Sequence, residues 1–172
     1  MSENSIPKVG SLPGSLEYTG NLSDVVTEIS VVTYDHDSYR IEKDFDLKTY
    51  QPQEALGQNT WVRFVGLSDV EKISVIGKAF ELDELTLEDI LSVKQRPGMN
   101  YSQNQIFSAC KMFYFEKDTK LLRLRQISFI LKAGVLLTFE ERAESCISTI
   151  FDRLKYDQNK VRRKSIDYLF YL

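Results

Sequence analysis

The sequence predicts an α/β domain built in layers, with a mixed sheet and helices on its faces. The main evidence is the order of hydrophobic patterns, which change from strand-like to helical, back to strand-like and finally to helical again. Composition agrees, because 172 residues suffice for one domain with a substantial core, and a hydrophobic content of 42% excludes a largely disordered chain. Ten Phe and nine Tyr indicate a well-filled core that includes strands.

The first part of the chain is expected to form strands. Residues 1–18 contain several Gly, Pro and Ser residues, which indicates a loosely held segment. Residues 27–34 are rich in β-branched side chains and predict a strand, and residues 38–46 predict a short second strand. Residues 61–65 predict a buried strand that ends at Gly66.

Two helices are expected next. Ser68 fits the N-cap of a capping box in which Glu71 reaches back, and this helix extends through Phe80. Asp83 is expected to cap the second helix, which ends before Pro97. The first helix is expected to bury Val70, Ile73, Ile76 and Phe80.

The second helix carries two adjacent carboxylates, Glu88 and Asp89. Adjacent side chains on a helix point about 100° apart, so these two carboxylates do not close around one ion by themselves. A cation held here needs further oxygens from water, another helix or another subunit, which makes the pair half of a site. The apolar side of this helix is expected to consist of Leu85, Leu87, Ile90 and Leu91.

The second half of the chain predicts three strands and then two helices. Residues 106–115, 121–132 and 135–139 have strand-like patterns separated by turns, which indicates an antiparallel series of hairpins. Residues 143–156 predict a helix that buries Ile147, Ile150, Phe151 and Leu154.

The last helix is expected to open with the basic residues 160–164. Its apolar stripe reaches Leu172 without a glycine, a C-cap or a proline, which predicts a helix that continues in a longer protein. The basic run is typical of a solvated helix face, and contact with acidic protein or lipid head groups is the alternative.

Few residues suit catalysis or a transition-metal site. His36 is the only histidine and is expected at the surface, so a histidine-based metal site or acid–base pair lacks a second member. Cys110 and Cys146 are expected to be reduced and buried in a cytosolic compartment. The sequence has no phosphate-binding glycine loop and no nucleophile elbow. A net charge of −3 does not favour nucleic acid as a partner, and no apolar run approaches the ~20 residues that span a membrane.

Five carboxylates cluster around the second helix: Glu81, Asp83, Glu84, Glu88 and Asp89. A solvated face whose N-terminal acids complement the helix dipole accounts for Asp83 and Glu84. It accounts poorly for Glu88 and Asp89, because they lie in the last half of the helix, where the helix dipole disfavours negative charge. Oxygen ligands of this type suit Mg²⁺, which takes one or two carboxylates and keeps most of its waters. A metal-responsive role is therefore the alternative interpretation.

A family resemblance favours that alternative. Residues 87–97, LEDILSVKQRP, resemble the LEDI-x-x-x-x-QRP block of the CorA magnesium transporter family. Further segments resemble the family in the same order along the chain, so the likeness covers almost the whole sequence. These segments are residues 13–20, 60–62, 111–113, 126–131, 163–164 and 167–169.

The resemblance implies a three-layer α/β/α domain at the cytoplasmic face of the inner membrane, followed by a long stalk helix and two membrane helices. It divides the chain into an N-terminal segment at 1–18, a regulatory domain at 19–158 and the start of the stalk helix at 159–172. Family members are homopentamers that admit Mg²⁺, and often Co²⁺ or Ni²⁺. Metal held between neighbouring cytoplasmic domains favours the closed pore.

In that family picture Asp89, together with Glu88, matches one half of a regulatory metal site. The opposing carboxylates come from stalk helices of identical subunits, beyond Leu172. A second match is misleading: Gly98-Met99-Asn100 has the residues of the family's selectivity motif, but no apolar helix precedes it. We expect a turn into the next strand there, and no ion conduction by this chain.

The sequence therefore predicts the metal-sensing cytoplasmic domain of a CorA-type cation transporter, and not an enzyme. Its expected partners are identical subunits and divalent cations, with Mg²⁺ bound weakly by the isolated domain and Co²⁺ as a second candidate ion. Membrane contact is expected only through residues beyond Leu172. The equivalent domain of a zinc-transporting relative is one alternative. A free-standing soluble adaptor or enzyme of the same fold is the other, and no catalytic motif favours it.

Overall fold

The computed structural model describes residues 16–43, 57–102, 104–116 and 119–172. The expectations for residues 1–15 and 44–46, and for part of the turn before residue 121, lie outside the described residues. In chain order the elements are β1 (Glu28–Tyr34), β2 (Tyr39–Lys43), β3 (Asn59–Val65), α1 (Val70–Ala79), α2 (Glu84–Leu91), β4 (Gly98–Tyr101), β5 (Ile106–Glu116), β6 (Leu121–Lys132), β7 (Val135–Glu140), α3 (Ser145–Lys155), a 3₁₀ segment (Gln158–Arg163) and α4 (Ile166–Tyr171).

Seven strands in the described part of the chain form one sheet in the order β2-β1-β3-β7-β6-β5-β4. Strands β3 and β7 are parallel, with Trp61 opposite Leu136, and the other neighbouring pairs are antiparallel. Strands β5, β6 and β7 follow one another as hairpins, as the sequence predicted. The expectation of a mixed, partly antiparallel sheet is therefore confirmed.

Apolar side chains cover both faces of the sheet and form two cores, which makes the domain a three-layer α/β/α structure. On one face, α1 and α2 pack on the sheet through Ile73, Ile76, Leu87, Ile90 and Leu91 against Val62, Phe64, Phe107 and Ile130. On the other face, α3 and α4 contribute Ile147, Ile150, Leu154, Ile166 and Leu169, which surround Trp61, Ile127 and Leu136.

Strand β3 ends at Val65 and is followed directly by Gly66, as predicted. Gly66 has φ +82, and a Cβ added to it would lie 2.9 Å from the carbonyl oxygen of Val26. Glycine tolerates both the left-handed conformation and this close approach of backbone. The chain can therefore turn sharply from the sheet into α1.

The predicted capping box at Ser68 is wrong by one residue. Asp69 is the N-cap of α1, and its carboxylate accepts a hydrogen bond of 3.1 Å from the backbone nitrogen of Lys72. Aspartate and serine are both good N-caps, so adjacent candidates are hard to separate from sequence. The prediction that Asp83 caps α2 is confirmed.

Two expectations about burial are also wrong. Leu85 is 68% exposed, because it is two positions before Leu87 and therefore about 200° away around the helix. Cys110 and Cys146 are free thiols, but both are exposed and not buried. Cys146 lies in the first turn of α3, and Cys110 follows the last β5 residue that pairs with β4. His36 lies at the surface, as expected.

Residues Gly98–Tyr101 form strand β4 instead of the predicted turn. The strand pairs antiparallel with β5, and Gly98 lies opposite Ala109. All four residues are exposed, as is usual for a short strand at the edge of a sheet.

The last helix begins later than the sequence predicted. Asn159 and Lys160 have φ values of 57 and 56, and this left-handed backbone does not continue an α-helix. Helix α4 starts at Ile166. Within the described ranges, no helix has both the length and the apolar character needed to cross a membrane. The division of the chain at residue 159 stays a prediction.

The outer part of the β5–β6 hairpin exposes apolar side chains on the α2 side of the sheet. The register places Phe113 opposite Leu124 and Phe115 opposite Leu122. Their exposed fractions are 66%, 55%, 60% and 64%, in that order. Alternate residues of a strand share a face, so Phe113 lies on the side of buried Phe107. The sheet extends here beyond the helices that cover it.

Candidate metal half-site

The start of helix α2 is fixed by Asp83. Its carboxylate accepts a hydrogen bond of 2.7 Å from the backbone nitrogen of Thr86 and one of 2.9 Å from the Thr86 hydroxyl. These bonds satisfy a backbone donor that has no partner within the helix. The cap therefore defines where the helix carrying the candidate carboxylates begins.

The middle of α2 is held by close packing against α1 and the sheet. Leu87, Ile90 and Leu91 are buried. Gly77 of α1 permits the approach, since a Cβ added there would lie 2.6 Å from Cδ1 of Leu87. The opposite side of α2 faces away from the core.

The carboxyl end of α2 is held by side chains from other segments. The carbonyl oxygen of Asp89 accepts hydrogen bonds from the amides of Gln95, at 2.7 Å, and Gln126, at 3.2 Å. The carbonyl oxygen of Leu91 accepts one of 3.1 Å from the backbone nitrogen of Thr19. Terminal carbonyl groups of a helix need such external partners. These contacts fix the direction of the last helical turn.

Gln126 and Lys111 connect this end of α2 to the sheet. The Gln126 amide nitrogen lies 3.4 Å from the carbonyl oxygen of Ile90, and its amide oxygen accepts a bond of 2.9 Å from the Lys111 ammonium. Lys111 also donates to the carbonyl oxygen of Val93. Burial lowers the pKa of Lys111. Sequence reasoning gave neither residue a role at the site, because no local pattern reveals a contact between residues 37 positions apart.

The Asp89 side chain lines a small cavity between α2 and the edge of the sheet. The cavity has a volume of about 180 Å³; most of its lining residues carry a side-chain oxygen, but apolar atoms form the larger part of its wall. The Gln105 amide donates a bond of 3.4 Å to the Asp83 carboxylate in this region. The lining residues are Asp83, Leu85, Thr86, Asp89, Asn100, Tyr101, Ser102, Gln105 and Phe107.

The surroundings of Asp89 disfavour its ionised form. Partial burial raises the pKa of Asp89, and the negative charges of Glu88 and Asp83 raise it further. A divalent cation at this position would reduce both effects, because it would replace lost hydration and neutralise the neighbouring charges.

Glu88 is adjacent to Asp89 but does not line the cavity. The carboxylates that share the cavity are Asp89 and Asp83, and Glu88 adds negative charge beside them. The carboxylate, amide and hydroxyl oxygens fit Mg²⁺, which keeps several waters when few carboxylates bind it. No group of three His, Cys, Asp or Glu side chains suited to one ion occurs in the described part of the chain. The oxygen ligands are therefore of a type that suits Mg²⁺, but the described residues supply too few of them for a complete site.

A separate group of buried charges joins β3, β7 and α3. The Arg63 guanidinium donates two hydrogen bonds to the Glu140 carboxylate, at 2.5 and 2.7 Å. Glu140 also accepts a bond of 2.9 Å from the backbone nitrogen of Glu144. Burial raises the pKa of Glu140, although Arg63 opposes this shift. Because these charges are paired with one another inside the fold, we assign them a structural role.

Comparison with known proteins gives the family. Residues 57–172 match the family model described as CorA-like Mg²⁺ transporter protein. The chain belongs to this family. The cobalt/magnesium transport protein CorA of Thermotoga maritima is 32% identical over 164 residues, which cover 95% of this chain and 46% of that protein. The chain thus spans about half the length of this CorA relative.

Solved structures show the same fold. The soluble domain of CorA from Methanocaldococcus jannaschii matches with a TM-score of 0.59 and 13% identity, over 82% of this chain and 52% of that chain. The ZntB cytoplasmic domain from Vibrio parahaemolyticus RIMD 2210633 matches with a TM-score of 0.53 and 12% identity, over 74% of this chain and 50% of that chain. These likenesses confirm the α/β fold.

The two halves of the CorA motif meet in space. Leu87 and Ile90 of the LEDI segment fill the core, and Gln95 of the QRP segment folds back to the Asp89 carbonyl group. This arrangement leaves the Glu88 and Asp89 side chains partly exposed at the surface. The motif therefore combines core packing, a helix cap and the candidate carboxylates.

Proposed function

We propose that this chain is the metal-sensing regulatory domain of a CorA-type divalent-cation transporter. The observation that carries the proposal is the position of Asp89, a partly buried carboxylate that shares a small cavity with Asp83. The family match supports it, as does a relative whose name assigns it cobalt and magnesium transport. The proposed role is binding and coupling, without catalysis.

In this proposal Asp89 is the principal ligand of a regulatory Mg²⁺, with Co²⁺ as an alternative ion. Glu88 adds negative potential or completes the coordination from its own side of the helix. An incomplete donor set requires further oxygens, and identical subunits supply them in the complete protein. A homopentamer at the cytoplasmic face of the inner membrane is the assembly we propose.

The coupling follows from linkage between metal binding and subunit arrangement. An ion that bridges two subunits favours whichever arrangement brings its ligands together. We propose that this arrangement has a closed pore, so that abundant intracellular Mg²⁺ limits further entry. The fixed direction of α2, held by Asp83 at one end and by Gln126 at the other, supports such a role. A half-site on a mobile helix would transmit little of the binding energy.

A zinc-transporting relative is the second candidate. The likeness to the ZntB cytoplasmic domain is its support, but that likeness concerns the fold alone. The sequence relative is named for cobalt and magnesium, which favours the first candidate. Oxygen donors without histidine or cysteine also suit Mg²⁺ better than Zn²⁺.

Titration of this chain with MgCl₂, followed by amide NMR shifts, tests the proposed ligand. We expect weak, saturating shifts around residues 83–89 and 100–105, which are lost in Asp89→Asn. Glu84→Gln is the matched control, since it removes one charge from the exposed start of the same helix and does not line the cavity. Equal shifts in Asp89→Asn and wild type would overturn the assignment of Asp89.

A further inference from the structure

Residues 18–20 connect the carboxyl end of α2 to the end of β7. The backbone nitrogen of Thr19 donates a hydrogen bond of 3.1 Å to the carbonyl oxygen of Leu91, and the Thr19 hydroxyl donates one of 3.3 Å to the same atom. The Tyr18 hydroxyl donates one of 2.9 Å to Oε1 of Glu141, which directly follows β7. We call residues 18–20 the clasp, because they join two elements that are distant in the sequence.

The clasp completes a ring of hydrogen bonds around the end of α2. Oε2 of Glu141 accepts a bond of 3.1 Å from the backbone nitrogen of Gln126, and the Gln126 side chain in turn binds the carbonyl oxygen of Asp89. Glu141 is only 7% exposed, so its hydrogen bonds are shielded from water and strengthened by that shielding. The last turn of α2 is therefore tied both to β6 and, through the clasp, to the end of β7.

The Tyr18 side chain is fitted closely into the clasp. It packs at the margin of the core that α1 and α2 form with the sheet. A Cβ added to Gly20 would lie 2.1 Å from the Tyr18 hydroxyl oxygen, so glycine at position 20 leaves the space that the tyrosine occupies. Burial and the charge of Glu141 raise the pKa of Tyr18, and the hydroxyl therefore stays protonated and able to donate at neutral pH.

We propose that Tyr18 is a positioning residue for the candidate metal half-site, and that the clasp holds Asp89 in the orientation that binds Mg²⁺. This inference rests on the proposed function, in which Asp89 is the principal ligand. Tyr18 does not line the cavity beside Asp89, so it acts through Glu141 and Thr19 on the helical turn that carries the ligand. A ligand already held in its bound orientation loses less conformational entropy on binding. Release of the clasp therefore lowers the affinity of the half-site.

Amide hydrogen exchange without Mg²⁺ tests the clasp by itself. Tyr18→Phe keeps the ring and removes only the hydroxyl that donates to Glu141. We expect the Thr19 amide, which is bonded to Leu91, to exchange about fivefold faster in this variant, because the clasp opens more often. Equal exchange of the Thr19 amide in Tyr18→Phe and wild type would overturn the clasp.

Titration with MgCl₂, followed by the amide shifts of residues 83–89, tests the positioning role. We expect the Kd for Mg²⁺ to rise about threefold or more in Tyr18→Phe. Gly20→Ala is expected to act in the same direction, because its Cβ displaces the Tyr18 hydroxyl. Thr138→Val is the matched control: it also removes a buried hydrogen bond, of 3.0 Å from Trp61, but on the α3 side of the sheet. Its Kd and its Thr19 exchange rate should equal those of wild type.

The outcomes distinguish a failure of this inference from a failure of the proposed function. Faster exchange of the Thr19 amide in Tyr18→Phe with an unchanged Kd for Mg²⁺ would overturn the positioning role and leave the proposed function intact. An equal rise of Kd in Tyr18→Phe and Thr138→Val would also overturn it, because the effect would then reflect a general loss of stability. A wild-type chain without saturable shifts around Asp89 would overturn the proposed function, and the positioning role with it.

Discussion

The side-chain amide of Gln126 donates a hydrogen bond of 3.2 Å to the carbonyl oxygen of Asp89, which lies 37 positions earlier in the chain. The same amide reaches the carbonyl oxygen of Ile90 and binds the Lys111 ammonium through its oxygen. Strand β6 thus sets the direction of the helical turn that carries the candidate metal ligand. We expect both the folding stability of the domain and its metal binding to depend on the hydrogen bond between Gln126 and Asp89.

Gln126→Leu is expected to destabilise the domain by about 1–3 kcal/mol, because it removes the buried hydrogen bonds that the Gln126 side chain makes with the Asp89 carbonyl oxygen and the Lys111 ammonium. Urea unfolding measures this change. Gln105→Leu is the control: its amide contact with Asp83 is longer, at 3.4 Å, and exposed, so we expect a cost within about 0.5 kcal/mol. Equal costs for the two substitutions would show that Gln126 does not anchor α2.

Arg63→Met is expected to destabilise the domain by about 3–5 kcal/mol, since Glu140 is fully buried and would lose its only described ion-pair partner. The double variant Arg63→Met with Glu140→Gln is expected to recover much of this loss, because it removes the unpaired charge. Urea unfolding of wild type, the single variants Arg63→Met and Glu140→Gln and the double variant forms a double-mutant cycle. Additive losses in the double variant would contradict the pairing.

Asp89 is expected to make folding less favourable at neutral pH than at acidic pH. Its pKa in the folded chain is raised, so the folded state binds the proton more tightly than the unfolded state. The resulting stabilisation is complete below the unfolded pKa of about 3.9 and is lost as the pH rises through the folded pKa. Asp89→Asn should therefore raise the midpoint of thermal unfolding at pH 7 relative to wild type, with a smaller difference at pH 4. The opposite pH trend would contradict the proposed environment of Asp89.

Local sequence patterns predicted those strands and helices that are determined by residues close together in the sequence. A β-branched run indicated β1, a compact run that ends at a glycine indicated β3, and Asp83 indicated the start of α2. Local patterns failed where two choices were chemically similar, as for Ser68 and Asp69 at the start of α1. They also failed for the left-handed residues before α4, where a basic run resembled a helical turn.

The candidate site was predictable in part. The sequence predicted that Glu88 and Asp89 form half of a site that needs outside ligands, because adjacent residues on a helix point about 100° apart, and that assignment stays a prediction. It did not identify Asp83 as the carboxylate that shares the cavity, nor Gln126 as the residue that fixes the helix. The position of Asp83 at the cavity and the contact of Gln126 with α2 both depend on how α2 packs against β5 and β6. That packing involves residues far apart in the sequence, which local patterns do not reveal.

The most direct test of the central proposal uses the complete protein in membranes and measures whether Mg²⁺ slows its proteolysis. We expect Mg²⁺ to protect the wild-type protein and the control Glu84→Gln over the same concentration range. Asp89→Asn should require several-fold more Mg²⁺ for the same protection, because it loses the proposed ligand. Protection of Asp89→Asn at the wild-type Mg²⁺ concentration would contradict the assignment of this domain's half-site to Asp89.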